Sequence, residues 1–148
     1  SELLKVADIT IGDTYGANDV RRKLIDLLIS HVGSTDTLKL GSGRQNMSLM
    51  HITDVARGIA RVIDDHQSIP AKEVWRVQMP PTENISVRDL VDKIEKIAAK
   101  PMLCTFDASR DRKREIYAPI QGLKKLPNYK PLIDLETGLK LLLGQKLV

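Results

Sequence analysis

The stretch that most constrains this chain is VADITI, residues 6–11, a run with alternating β-branched residues that stops at Gly12. Alternation with a period of two marks a half-buried strand, and the octet GDTYGAND that follows has the glycines and acids of a turn, so the strand is expected to end there. Beyond it Val20, Leu24, Leu27, Leu28 and His31 recur at helical spacing, with Asn18 or Asp19 placed to cap the helix, which is expected to run to about Val32.

This switch from strand to helix period repeats along the chain. TLKL and RQNMSLMHI read as short strands separated by the turn GSG. Thr53 or Asp54 is expected to cap a helix with Val55, Ile59, Val62 and Ile63 on its inner face. EVWRVQM is a further strand, stopped by Pro80 and Pro81, which cannot continue a ladder. In ISVRDL, Ser86 caps a helix, Asp89 makes a short variant of the capping box, and Ile85 and Leu90 are spaced as a hydrophobic staple. That helix turns Leu90, Val91, Ile94, Ile97 and Ala98 inward and stops at Pro101. MLCTF is a last short strand, and a helix from near Asp134 carries Leu135, Leu139, Leu142 and Leu143 on one face. Strands alternating with helices give an α/β fold with parallel pairing, and 148 residues suit one domain. The first strand has no helix before it, so its partners must come from elsewhere in the chain or from another chain.

Composition narrows the function classes. The lone Cys104 can build neither a disulfide framework nor a multi-cysteine zinc site, which fits a reducing compartment and makes the cytoplasm the expected location. No apolar run approaches the roughly 20 residues of a membrane span, and the first residues lack the pattern of a signal peptide, so no membrane partner is expected. The net charge of +4 favours anionic partners without choosing among them.

Three places carry chemistry. In open α/β sheets ligands gather beyond the carboxyl ends of strands, where GDTYG falls, so Asp13 and Tyr15 are candidates there. Arg21, Arg22 and Lys23 stand where a helix macrodipole disfavours cations; they either hold an anion with the free amides or form a solvated face. SRDRKRE places Arg110, Arg112, Lys113 and Arg114 close enough to grip a diphosphate through guanidinium forks, although such a run also suits a solvated loop. Nucleic acid ranks third, because an aromatic content of 3% leaves little to stack bases on. His51 reads as a hydrogen-bonded structural residue, and His31 and His66 lack partners at metal-ligand spacing.

Taken in order, GDTYGAND, LGSGRQNMSLMHITDVARGI and LPNYKPLIDLETGLKLLL resemble the carboxyl-terminal half of the extended short-chain dehydrogenases, the NAD-dependent epimerase/dehydratase family of nucleotide-sugar enzymes. The Asp-Thr-Tyr-Gly and Asn-Asp spelling is more similar to members acting on CDP-linked deoxysugars. The resemblance implies the last strands of a Rossmann-like sheet plus a small mixed α/β substrate domain. Residues 1–148 would then be a single substrate-binding domain, with the N-terminal dinucleotide-binding half absent. It also implies site residues: Asp13 and Tyr15 on the sugar-diphosphate cleft, Arg112 on the diphosphate, Glu115 on the ribose, and Arg44 as a substitute for a second diphosphate arginine whose place Met47 takes. Asp13 replaces the family's usual asparagine and brings a negative charge close to the diphosphate. The chain contains neither a Gly-x-x-Gly-x-x-Gly turn nor a Tyr-x-x-x-Lys pair. It is therefore expected to bind no cofactor alone and to be inactive alone, NAD(P) belonging to the complete family enzyme. The implied partners are a nucleotide-diphosphate sugar and either the missing half or a second copy in a homo-oligomer. The alternative is a stand-alone binding or self-association protein built on the same scaffold.

Overall fold

The computed structural model describes residues 4–21, 23–119 and 122–146, and it divides the chain's strands among three small sheets. β1 (Val6–Thr10) pairs in parallel with β5 (Val74–Gln78), from Val6 opposite Val74 to Thr10 opposite Gln78. β2 (Asp13–Tyr15) runs parallel to β4 (Asn46–His51), which is antiparallel on its other side to β6 (Glu83–Ser86). β3 (Leu38–Leu40) lies parallel to β7 (Cys104–Phe106). Four helices complete the fold: α1 (Leu24–Ser30), α2 (Ile52–Asp64), α3 (Val87–Ala98) and α4 (Leu135–Lys146).

The expected alternation of strand and helix is present, with local corrections. The stretch read as a turn, GDTYG, contains β2, so the chain leaves one sheet and at once enters another. Gly12 makes that step possible: a Cβ there would lie 2.5 Å from the carbonyl oxygen of Ser48 on β4. GSG bends the chain, and β3 and β4 on either side of it belong to different sheets. The strand ENIS, β6, was not foreseen, because it runs directly into α3. There Ser86 caps as expected, accepting the Asp89 N–H at 3.1 Å, while its hydroxyl donates to the Asp89 carboxylate at 2.6 Å. Ile85 and Leu90 are both buried in the larger of two apolar clusters.

α1 is shorter than its pattern suggests. Neither Asn18 nor Asp19 caps it; Asp19 instead accepts the backbone N–H and the guanidinium of Arg21, each at 3.0 Å, and lies 3.6 Å from Lys23. That turn holds Val20 out in solvent and delays the helix to Leu24, so Lys23 becomes its N-cap and the cation at the positive end of the macrodipole is met by Asp19 and Thr14.

α2 departs from expectation in its faces. Val55 and Val62 are buried against β1 and β5, in a cluster with Val77, Met79 and Leu126, whereas Ile59 and Ile63 are 39% and 64% exposed. A two-stranded sheet covers only one stripe of a helix, and Ile52, Ala56, Ile59, Ala60 and Ile63 form an uncovered stripe beside it.

Asp54, in the first turn of α2, is fully buried. Its carboxylate accepts the backbone N–H groups of Leu132, at 3.1 Å, and Ile133, at 2.9 Å, and pairs with Arg57 at 2.6 Å. Its carbonyl accepts the Tyr129 hydroxyl at 2.5 Å. The segment so tied leads into α4, whose Leu135, Leu139, Leu142 and Leu143 fill the larger cluster. Asp54→Ala leaves the N–H groups of Leu132 and Ile133 and the Arg57 guanidinium without this partner, and the expected loss is about 2–4 kcal/mol in urea unfolding, with Asp54→Asn retaining part of it. A loss below about 1 kcal/mol would mean that the α4 leucines alone hold the tail.

Candidate functional site

The carboxyl ends of β2 and β3 and the start of β4 open onto a cleft of about 670 Å³, walled by the start of α1, the turn around Gly41–Gly43 and the basic segment 110–116. Asp13, Tyr15, Arg112 and Glu115, distant in sequence, all line it. Arg44 does not; its guanidinium stands 5.5 Å over the ring of Tyr117.

Each residue has a definite environment. Asp13 is exposed on β2. Tyr15 is 4% exposed and meets His51 edge-on, centroids 5.4 Å apart, with its ring packed over Gly138 of α4. Its hydroxyl has no hydrogen-bond partner among the described residues. Burial, and then the charges of Asp134, Asp54 and Glu83, push its pKa well above the ordinary tyrosine value, so the phenol stays protonated and is a poor base. Glu115 shapes its own loop, accepting the N–H of Arg112 at 3.4 Å and of Ile116 at 3.3 Å.

The arginines supply what can hold an anion. Arg110, Arg112 and Arg114 line the cleft, and the guanidinium groups of Arg112 and Arg114 have no hydrogen-bonded or ion-paired partner among the described residues. Lys23 also lines it, but its Nζ donates to Thr14 Oγ1 at 2.8 Å and to the Thr14 carbonyl at 3.1 Å. Of the other basic residues read at the helix start, Arg21 is held on Asp19, and Arg22 lies outside the described residues. Among the described residues no group of three or more His, Cys, Asp or Glu could hold a metal ion, and no helix is long and apolar enough to cross a membrane.

Sequence reasoning missed Asp111. Its carboxylate accepts the Ser42 N–H at 2.6 Å and the Tyr117 hydroxyl at 2.7 Å, joining the basic segment to the glycine turn. The only signal was an acid immediately before Arg112 in a basic run. Asp54 was read as a possible cap, yet the cap of α2 is His51, whose Nδ1 accepts the Thr53 N–H at 3.2 Å.

The sequence model of the NAD-dependent epimerase/dehydratase family matches residues 5–77. Over 106 residues the chain is 32% identical to CDP-abequose synthase of Yersinia pseudotuberculosis, a match spanning 72% of this chain and 36% of that protein. The chain belongs to the NAD-dependent epimerase/dehydratase family. Solved family structures share its fold: MoeE5 in complex with UDP-glucuronic acid and NAD matches 97% of the chain with a TM-score of 0.76 at 14% identity. The dTDP-glucose 4,6-dehydratase of Bacillus anthracis, in complex with NAD, matches 94% with a TM-score of 0.75 at 19% identity. This α/β chain with parallel sheets spans 48% and 43% of the lengths of those two chains, so it corresponds to about half of a Rossmann-fold extended short-chain dehydrogenase.

His51 yields a test of the cleft's floor. Burial lowers its pKa below the ordinary histidine value, with the charge of Asp54 pulling the other way. The neutral ring caps α2, so its stabilising contribution is complete above the unfolded pKa of about 6.5 and is lost as pH falls through the lower folded value. Urea unfolding between about pH 7 and pH 5 is expected to show a decline that His51→Asn, a cap that does not titrate there, makes shallower. Equal slopes in the two proteins would show that the cap is not pH-linked.

Proposed function

We propose that this chain is the substrate-binding half of a nucleotide-sugar epimerase, dehydratase or reductase and that its cleft holds the nucleoside diphosphate of the sugar. The observation that carries the reading is the uncommitted guanidinium of Arg112, facing the same cleft as Asp13 and Tyr15 in a chain of this family. A planar guanidinium grips a diphosphate through two parallel hydrogen bonds. Arg114 and Arg110 reinforce the field, Glu115 is set to meet the ribose, and Asp13 limits how closely the diphosphate approaches β2. Arg44, stacked on Tyr117, stiffens the turn and reaches the ligand only if it leaves that ring.

NAD in the family exchanges a hydride with the sugar, and this chain's part is to position the sugar for it. These 148 residues have no Gly-x-x-Gly-x-x-Gly turn to seat the dinucleotide's phosphates and no Tyr-x-x-x-Lys pair, so they do not fit the cofactor, and the chain alone is assigned no catalysis. Calorimetric titration of the chain is expected to show weak binding of UDP, CDP or dTDP, cut about tenfold or more by Arg112→Ala, and none of NAD. Micromolar NAD binding, or an affinity unaffected by Arg112→Ala, would overturn the reading.

The same reading concerns the open edge of β1 and the isoleucine stripe of α2. In the complete enzyme they meet the cofactor-binding half; in the isolated chain the stripe is expected to be covered by a second copy, since an uncovered parallel sheet and helix face are costly in water. Sedimentation velocity at micromolar concentration should then show a reversible dimer, shifted to monomer by Ile59→Asp with Ile63→Asp. A monomer that unfolds cooperatively would exclude it.

A further inference from the structure

The basic segment reaches the cleft as a span anchored at three points. At its start the Asp107 N–H is shared by the carbonyls of Leu40 and Gly41, each at 3.2 Å, where β3 ends. At its far end the Tyr117 carbonyl accepts the Asn46 N–H at 3.1 Å, where β4 begins. Between them stands Asp111, an anchor made by a side chain, with Oδ1 on the Ser42 N–H and Oδ2 on the Tyr117 hydroxyl. The turn it grips is fixed from the opposite side as well: Arg88 Nε donates to the Ser42 carbonyl at 2.7 Å, and the Arg88 guanidinium stacks on Phe106 at 4.1 Å. A Cβ on Gly41 would collide with the Asp111 carboxylate, so turn and carboxylate are in close contact. Arg112, Arg114 and Glu115 all lie on the loop between Asp111 and Tyr117, which the hydrogen bond between those two residues closes.

We propose that Asp111 is the positioning residue of the cleft: its carboxylate latches the arginine loop to the Gly41–Gly43 turn and so sets where the guanidinium of Arg112 meets an anionic ligand. The inference rests on the reading of the cleft as a diphosphate site. It makes sense of an acid where charge alone argues against one. A carboxylate beside a bound diphosphate repels it, and here both oxygens accept hydrogen bonds from within the wall. Those bonds, that of Ser42 first and that of Tyr117 after it, hold its carboxyl below the usual carboxylate range, so the latch is ionised at neutral pH.

Charge and latch predict opposite signs, which makes the test decisive. UDP is titrated calorimetrically into the whole chain and into Asp111→Ala, Asp111→Asn and Arg112→Ala. If Asp111 acts only as a charge, both Asp111 variants bind UDP more tightly than the wild type. As a latch, Asp111→Ala binds about tenfold more weakly despite losing a repulsive charge, while Asp111→Asn, whose oxygen still accepts from Ser42, recovers most of the affinity. Hydrogen exchange at the Ser42 amide is expected to quicken in Asp111→Ala and to stay near wild type in Asp111→Asn. Should Asp111→Ala not fold, Tyr117→Phe reads the latch from its other end, with a loss of about threefold expected. An unchanged or tighter affinity in Asp111→Ala, or in Tyr117→Phe where that variant stands in, overturns the latch, and Arg112→Ala still abolishing UDP binding leaves the cleft reading intact. A wild-type chain that binds no UDP overturns both.

Discussion

One buried carboxylate joins the parts of this fold. Asp54 lies in the first turn of α2, a helix that packs on β1 and β5 and directly follows β4 of another sheet, and it receives the N–H groups of Leu132 and Ile133 that lead into α4. A buried carboxylate is tolerated only where donors surround it, and here two backbone amides and a guanidinium converge on it. The geometry propagates. With the tail fixed at Asp54, α4 lies across the larger cluster and Gly138 comes over the ring of Tyr15, which forms the inner end of the cleft.

At the cleft itself the balance of charge is subtle. Four basic residues, Lys23, Arg110, Arg112 and Arg114, face four acidic ones, Asp13, Asp26, Asp111 and Glu115. By count the lining is neutral, yet the two signs are not equally available to a ligand. Asp111 is engaged by Ser42 and Tyr117, Glu115 by two backbone amides, and Lys23 by Thr14, while Arg112 and Arg114 are uncommitted. Carboxylates that already accept hydrogen bonds have much of their charge compensated locally, whereas an unpaired guanidinium gains most from an arriving anion. On the proposed reading as an anion site, the cleft uses Asp111 and Glu115 to build its walls, while Asp13 stays exposed.

The elements legible in the sequence were those whose signal is local. Ser86 with Asp89, the leucine face of α4 and the alternation in VADITI each depend on neighbours within a turn or a strand, and each is present. What escaped was decided by distant partners. GDTYG reads as a turn because its glycines and acids suit one, but pairing with Leu49, Met50 and His51 makes Asp13–Tyr15 a strand. Asp19 reads as a cap until Arg21 claims it. Asp111 is invisible in a basic run because its partners lie at Ser42, far back in the chain, and at Tyr117, on the other side of the arginines. Four of the five candidate residues still fell on one cleft, since the resemblance carries tertiary information that periodicity lacks; Arg44 was proposed as a stand-in for Met47, and its position on the turn gives it Tyr117 as a neighbour instead.

The two apolar clusters divide the chain along a line that bears on its function. The larger is closed by α1, α3 and α4 around β2, β3, β4 and β6, and its helices bury their apolar faces within these residues. The smaller sets α2, Met50 of β4, Ile69 and Leu126 against a two-stranded sheet, and Ile59 and Ile63 stay in solvent, as do Val6 and Val74 on the sheet's other face. The cleft draws its walls from the larger, closed part: Leu40, Met47 and Val87 line it, and all three belong to that cluster or pack against it. Binding geometry is thereby separated from the incomplete flank. On the proposed reading, the bonds that latch the arginine loop run between the Gly41–Gly43 turn, the start of β4 at Asn46 and the loop that follows β7, at the opposite end of β4 from Met50 and His51, which lead into α2.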